Sequence, residues 1–259
     1  MNADLVLGNA DNRSILERWL RFDPARVPEV EAAYDAFIRG SRPGVHVSVG
    51  IAASIVLCIL VGVIFSNVNN HAYLPAVVVT FEIVFYGSIA LSVLFTPREI
   101  RRVLLGGCVD VARASVLAAA AALAIAVVEL AAILLLQRAH VPFPGPKADI
   151  LAGGWIPAFF FVNIAAPVCE EFLVQGWFQT RVRRLGVPGS VALSTLFFVL
   201  IHLPTNLYAF VRSGNLLFNA YLRGTTRSLG AAIVAHATNN LFFFAIFAVY
   251  AVLHHGKVG

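Results

Sequence analysis

Seven apolar runs separated by short polar stretches dominate the chain after residue 45. They cover about 46–66, 73–97, 111–137, 154–180, 188–203, 206–222 and 228–253. A helix needs about 20 apolar residues to cross the hydrocarbon core of a bilayer. The first four runs and the last meet that length. The fifth is short, and the sixth is interrupted by Arg212, Gly214 and Asn215. Such a run reads as a broken or re-entrant helix, which a membrane tolerates only where protein or a cavity shields its backbone. The pattern predicts an all-α, polytopic transmembrane helix bundle of about seven spans, six to eight if the broken run is counted either way.

The first 44 residues differ. Ser14 to Phe22 places Ile15, Leu16, Trp19 and Leu20 on one helical face, Pro24 and Pro28 interrupt it, and Glu29 to Arg39 can form a second short helix. With 6 Arg and 7 acidic residues and no apolar core segment, this stretch is not a signal peptide. It reads as a polar, solvated cytoplasmic extension, with a helix lying on the headgroups as the alternative. No repeat or linker divides the remainder, so residues 45–255 are expected to form one membrane domain.

Composition supports lipid as the solvent. Of 259 residues, 59% are hydrophobic and 13% charged, and the mean hydropathy is +0.81. Soluble domains carry about 25% charged residues. The basic residues lie at the ends of apolar runs and form no stripe interleaved with aromatics, so a nucleic-acid partner is excluded; the expected partners are membrane lipid and a membrane-associated peptide. Of the 19 basic residues, 17 are Arg. Together with abundant Ala and Val, this suggests a GC-rich bacterial genome and a bacterial plasma membrane. Arg residues gather in the N-terminal stretch and in the 2–3, 4–5 and 6–7 connections, which the positive-inside rule places in the cytoplasm. The cysteines, Cys58, Cys108 and Cys169, are widely spaced with no CxxC, so free thiols are expected.

Ionisable groups at membrane depth are rare and usually functional. Here they are Glu82, Glu129, Glu170, Glu171, His202, His236 and, with less certain depth, Arg212. Taken singly, each has a structural explanation: Glu82 or Glu129 as protonated interhelical glue, His202 as a packing residue, His236 with Asn240 as a hydrogen-bonding pair. Taken together they converge. At 1.5 Å per residue, Glu170 lies about 16 Å from the Arg181 end of its run, His202 about 22 Å from Val187, and His236 and Asn240 about 12 and 18 Å from Ser228. His236 and Asn240, four apart, share a helix face. Glu170 and Glu171 point about 100° apart on a helix, so they are not expected to face one partner, and both need a polar cavity. Burial and mutual repulsion favour a proton on at least one of them. Cys169 points away from Glu170 and is expected to pack.

These residues, in this order, resemble the CPBP family, which comprises CAAX prenyl endopeptidases of the Ras-converting type and bacterial relatives linked to bacteriocin processing and self-immunity. Its signatures are Glu-Glu-x-x-x-Arg, Phe-x-x-x-His and His-x-x-x-Asn. The chain has Glu170-Glu171 followed by Gln175, Phe198 followed by His202, and His236 followed by Asn240. The resemblance spans about 154–245, including a polar turn, Arg223 to Ser228, before the last signature. It implies catalysis in which Glu170 activates water with help from His202, His236 and Asn240 stabilise the oxyanion, and Glu171 orients the site. Gln175 stands where the family has Arg, so a positive charge near Glu171 is missing. The implied activity is intramembrane endopeptidase action on a CAAX-like, lipidated or hydrophobic peptide. The rival class is a non-catalytic scaffold or transporter of the same fold. No cofactor is expected. Two His and a Glu leave zinc open, but HExxH is absent and metal-free catalysis is favoured.

Overall fold

The computed structural model describes residues 14–39, 56, 74–141, 155–201, 211 and 213–253, with side chains other than those of 74–82, 201 and 251–253. These residues are all-helical, without strands. In chain order they form α1 (Ile15–Trp19), α2 (Val27–Arg39), α3 (Leu74–Phe95), α4 (Arg98–Gly106), α5 (Val111–Arg138), α6 (Trp155–Phe160), α7 (Ala166–Glu171), α8 (Gln179–Val182), α9 (Gly186–Ile201), α10 (Ser213–Thr226) and α11 (Leu229–Leu253). Two π-helical turns, Phe161–Ala165 and Phe172–Phe178, join α6, α7 and α8 into one rod.

Three described helices are long and apolar enough to cross a membrane: Val111–Arg138, Trp155–Leu200 and Leu229–Tyr250. A fourth is added if Ile83–Phe95 and Arg98–Gly106, bent by 108°, count as one broken span. Their outward faces carry Val116, Val128, Leu135, Ile156, Leu196 and Val249, all exposed, as helices bathed in lipid require. The chain is an integral membrane protein.

Among the described residues the count of about seven spans is not confirmed, for identifiable reasons. The run at 46–66 lies, apart from Val56, outside the described residues. The described parts of the 154–180 and 188–203 runs fall almost wholly within the 46-residue stretch Trp155–Leu200, which turns back on itself. A short 3-10 turn, Arg183–Leu185, leads to Gly186 at φ 74°, a left-handed backbone that glycine adopts without penalty. Beyond it Phe197 stacks on Phe178 with ring centroids 4.3 Å apart, a contact that a straight helix could not make across 19 residues. Of the 206–222 run only 211 and 213–222 are described; the latter belong to α10, whose 14 residues measure about 21 Å at helical rise. Its Asn215, Asn219 and Arg223 are buried.

α5 and α11 run side by side in the same direction: Leu105 at the end of α4, just before α5, accepts from Ser228 just before α11, and further along Glu129 of α5 accepts from Asn239 of α11. Their seam is small residues, Ala114, Ala118 and Ala122 against Ala231 and Ala235. Small side chains let membrane helices approach closely where there is no hydrophobic driving force between them.

The basic ends gather around the N-terminal residues. α2 is not a solvated helix. Its Val30, Ala33, Tyr34 and Phe37, spaced i, i+3, i+4, i+7, are buried in a core shared with Phe172, Leu173 and Leu229. Glu31 and Asp35 on the flank hold Arg183 at 2.7 and 2.8 Å, and Glu31 also binds Arg227. α1 keeps Ile15, Leu16 and Trp19 exposed. The chain is stitched here through Asp23 N–H to Cys108 O and Cys108 N–H to Thr226 O, 2.8 and 3.1 Å. Gly107, at φ 61°, lies so close to Arg227 that a Cβ would meet its carbonyl carbon at 2.5 Å. Cys108 and Cys169 are buried free thiols; Cys58 lies outside the described residues.

Candidate active site

The centre of the site is a six-residue α-helical piece, α7, between two π turns. In a π turn each N–H bonds five residues back, and such turns are frequent at functional sites. Ala166 N–H bonds Phe161 O in this pattern. The next donor in the series would be residue 167, which is proline and has no N–H. The carbonyl of Val162 is thereby left open, and the Asn240 amide donates to it at 2.8 Å. One proline thus links the bend in the rod to the carboxamide of α11.

Glu170 and Glu171, at the end of α7, are both buried. Tyr86 on α3 donates its hydroxyl to Glu170 Oε1 at 2.7 Å. Glu171 Oε1 accepts from Asn219 on α10 at 2.9 Å and meets His236 Nδ1 at 2.8 Å. His236 Nε2 lies 3.8 Å from Glu170 Oε2. The expectation that adjacent carboxylates 100° apart cannot face one partner fails here. The two imidazole nitrogens lie on different edges of the ring, so one His spans both acids. The ring of Phe198, at 5.8 Å, shields another side. Cys169 packs, its thiol turned to the Tyr86 carbonyl at 3.5 Å.

Of the five residues expected in the site, the structure brings together Glu170, Glu171 and His236. Asn240 lies one turn beyond His236 on the same helix, with one of its two amide hydrogens committed to Val162. His202 lies outside the described residues, as do Arg212 and the side chain of Glu82. Gln175 is fully buried, and neither of its amide atoms nor Glu171 Oε2 has a hydrogen-bond partner.

Tyr86 and Asn219 were not anticipated, and Glu129 was expected only as interhelical glue. Tyr86 and Asn219 touch the acids directly. Glu129, buried on α5, accepts from Asn215 N–H and from the Asn239 side chain, each at 3.0 Å, and so ties α5, α10 and α11 around the site. Below the acids, Gln179 donates to Ala220 O at 2.9 Å and buried Arg223 to Thr180 at 2.9 Å. Sequence held a signal for these. Asn215, Asn219 and Arg223 recur every four residues, as do Glu171, Gln175 and Gln179, so each set forms a polar stripe on a helix face.

Among the described residues no group of three or more His, Cys, Asp or Glu is arranged to hold a metal ion.

The fold and site define a helical integral membrane protein with a buried acid–imidazole centre. Residues 152–242, the segment carrying α6 to α10 and the start of α11, match the family model of type II CAAX prenyl endopeptidase Rce1-like proteins. No curated protein and no solved structure matches the chain.

Proposed function

We propose that this protein is an intramembrane endopeptidase that hydrolyses a peptide bond in a membrane-associated, CAAX-like, lipidated or hydrophobic peptide. The reading rests chiefly on one observation: a buried imidazole set between two adjacent glutamates, each fixed by a further donor.

In this mechanism Glu170 accepts a proton from a water that attacks the scissile carbonyl, with His202 assisting. Glu171 holds His236 by Nδ1 and stabilises the imidazolium, whose Nε2–H then points toward the space beside Glu170. That donor and the second amide hydrogen of Asn240 stabilise the oxyanion. Donors fixed in a water-poor site and aimed at developing charge are the strongest single contribution to many hydrolases. Collapse of the intermediate breaks the C–N bond, and Glu170 passes its proton to the leaving amine. No metal is used. The basic end of the bundle, with α2 docked on it, faces the cytoplasm in accordance with the positive-inside rule.

The test is hydrolysis of lipidated and hydrophobic reporter peptides by the purified chain in lipid nanodiscs, together with membrane proteomics of cells carrying the wild type or Glu170→Ala. The reading requires that Glu170→Ala remain folded and lose turnover, and that uncleaved substrates accumulate. A Glu170→Ala protein that keeps its cellular effect, with no reporter cleaved by the wild type between about pH 5 and 9, places the chain with the non-catalytic scaffolds.

A further inference from the structure

We infer that Tyr86 is a positioning residue for Glu170, supplied by a helix outside the segment that matches the family model. Its kinetic consequence rests on the peptidase reading above; the contact itself does not.

Tyr86 comes from α3, 66 residues before the matched segment begins at 152. Three contacts fix it against the site. Its hydroxyl donates to Glu170 Oε1 at 2.7 Å, the short distance of an O–H group bonded to a carboxylate. Its ring stacks on Phe161, centroids 6.4 Å apart and planes 25° from parallel. Its backbone carbonyl receives the thiol of Cys169, the residue before Glu170. The phenol and the main chain at position 86 therefore grip two consecutive residues of α7.

The consequence is directional. A glutamate has three side-chain torsions, and a carboxylate offers two equivalent oxygens. Tyr86 makes them unequivalent: Oε1 accepts the phenol, and Oε2 faces His236 Nε2 at 3.8 Å. That separation is too long for a direct hydrogen bond, yet a water about 2.8 Å from each atom would bridge them. Tyr86 thus fixes which oxygen lies beside the imidazole. Glu171, one residue on, obtains its own fixed geometry from Asn219 and His236, so the two acids are oriented by different helices. A phenylalanine at 86 would fill the same space and keep the stacking on Phe161 while removing the donor.

The test uses the full chain in lipid nanodiscs with carbon-13-labelled glutamate. Infrared difference spectra assign the Glu170 carboxyl band by its loss in Glu170→Gln. In Tyr86→Phe that band is expected to move to a different frequency. In Phe85→Leu, which alters a ring packed edge-on against Tyr86 at 5.3 Å but removes no donor, it is expected to stay. With a cleavable reporter, Tyr86→Phe should lower kcat by about tenfold to a hundredfold, the worth of one hydrogen bond to a charged group, and leave KM within about twofold. A Glu170 band in Tyr86→Phe that coincides with the wild type overturns the inference, and so does an unchanged kcat. A shifted band in a chain that hydrolyses no reporter upholds the Tyr86–Glu170 contact and removes the peptidase reading instead.

Discussion

His236 Nδ1 and Glu171 Oε1 lie 2.8 Å apart, and Glu171 is completely shielded from solvent. The same oxygen accepts from Asn219, so one carboxylate oxygen joins α7, α10 and α11. Hydrogen-bonded carboxylate partners of this kind set which ring nitrogen of a histidine carries the proton.

Two substitutions at Glu171 separate its structural role from its chemical one. Glu171→Leu leaves the His236 nitrogen and the Asn219 amide without an acceptor and is expected to cost about 1–3 kcal/mol. Glu171→Gln keeps an oxygen of the same reach but no charge, so it should unfold near the wild-type temperature and still lose turnover. Thermal unfolding in detergent and reporter hydrolysis, measured on both variants, check this. Equal loss of stability in the two would reduce Glu171 to a packing residue.

Asn240 makes a different prediction, because its visible hydrogen bond is not to the acids. Asn240→Ala removes a bond to the Val162 carbonyl and should cost about 1 kcal/mol of stability. If its second amide hydrogen serves the oxyanion, kcat should fall about 10²–10³-fold. Loss of kcat in proportion to loss of folded protein alone would confine Asn240 to holding the π turn.

Much of this arrangement is legible in the residues themselves. The acid pair, His236 and the membrane setting follow from polar side chains standing in apolar runs. The stripes at 171, 175, 179 and 215, 219, 223 are also present in the sequence, but α10 is hidden by its low hydropathy: a run judged by length reads as a poor span, whereas its polar face is what meets Glu129, Glu171 and Thr180. The π turns are illegible, since a helix that bonds five residues back instead of four leaves no periodic mark in so short a stretch; Pro167 marks the place without revealing the geometry. Docking of α2 is hidden for another reason. Acids and arginines in residues 14–39 look solvated by composition, and only the positions of Arg183 and Arg227, far along the chain, show that Glu31 and Asp35 have partners.

Glu129 is expected to matter for alignment. It is the acceptor for the first turn of α10 through Asn215 N–H, and Asn219, one turn on, is the donor to Glu171. Glu129→Gln retains an acceptor for that N–H and should change stability by less than about 1 kcal/mol. Glu129→Leu strands two buried donors and should cost about 1–3 kcal/mol, with a drop in kcat that Glu129→Gln does not share. Unfolding temperatures and kcat for the pair decide the matter; equal behaviour of Gln and Leu would refute it.

The proposed steps use only side chains of this protein. Prolonged dialysis against a strong chelator, followed by assay with and without added zinc, should leave reporter hydrolysis unchanged. A loss restored by zinc would replace the glutamate-and-imidazole scheme with metal-assisted hydrolysis.

Alkaline stability should depend on Tyr34. This residue is buried in α2, its hydroxyl directed to the Arg227 carbonyl at 3.3 Å and its ring 3.8 Å from the guanidinium carbon of buried Arg223. Burial pushes the phenol above its usual 10.0, and the Arg223 charge pulls it only partly back. An acid raised by folding keeps its proton in the folded chain at a pH where the unfolded chain has lost it. Its contribution is therefore whole below about pH 10 and disappears as pH climbs from there toward the raised value. Tyr34→Phe retains the ring over Arg223, gives up one long hydrogen bond and has no proton to lose. It should be less stable than the wild type by no more than about 1 kcal/mol at pH 8, and its unfolding temperature should fall less steeply between about pH 9.5 and 11. Tyr34→Ala, which also uncovers the guanidinium, should lose about 3 kcal/mol or more at every pH. Parallel pH curves for the wild type and Tyr34→Phe would show that the phenol is not the group behind the alkaline limb, and that α2 is held by Val30, Phe37 and its acids alone.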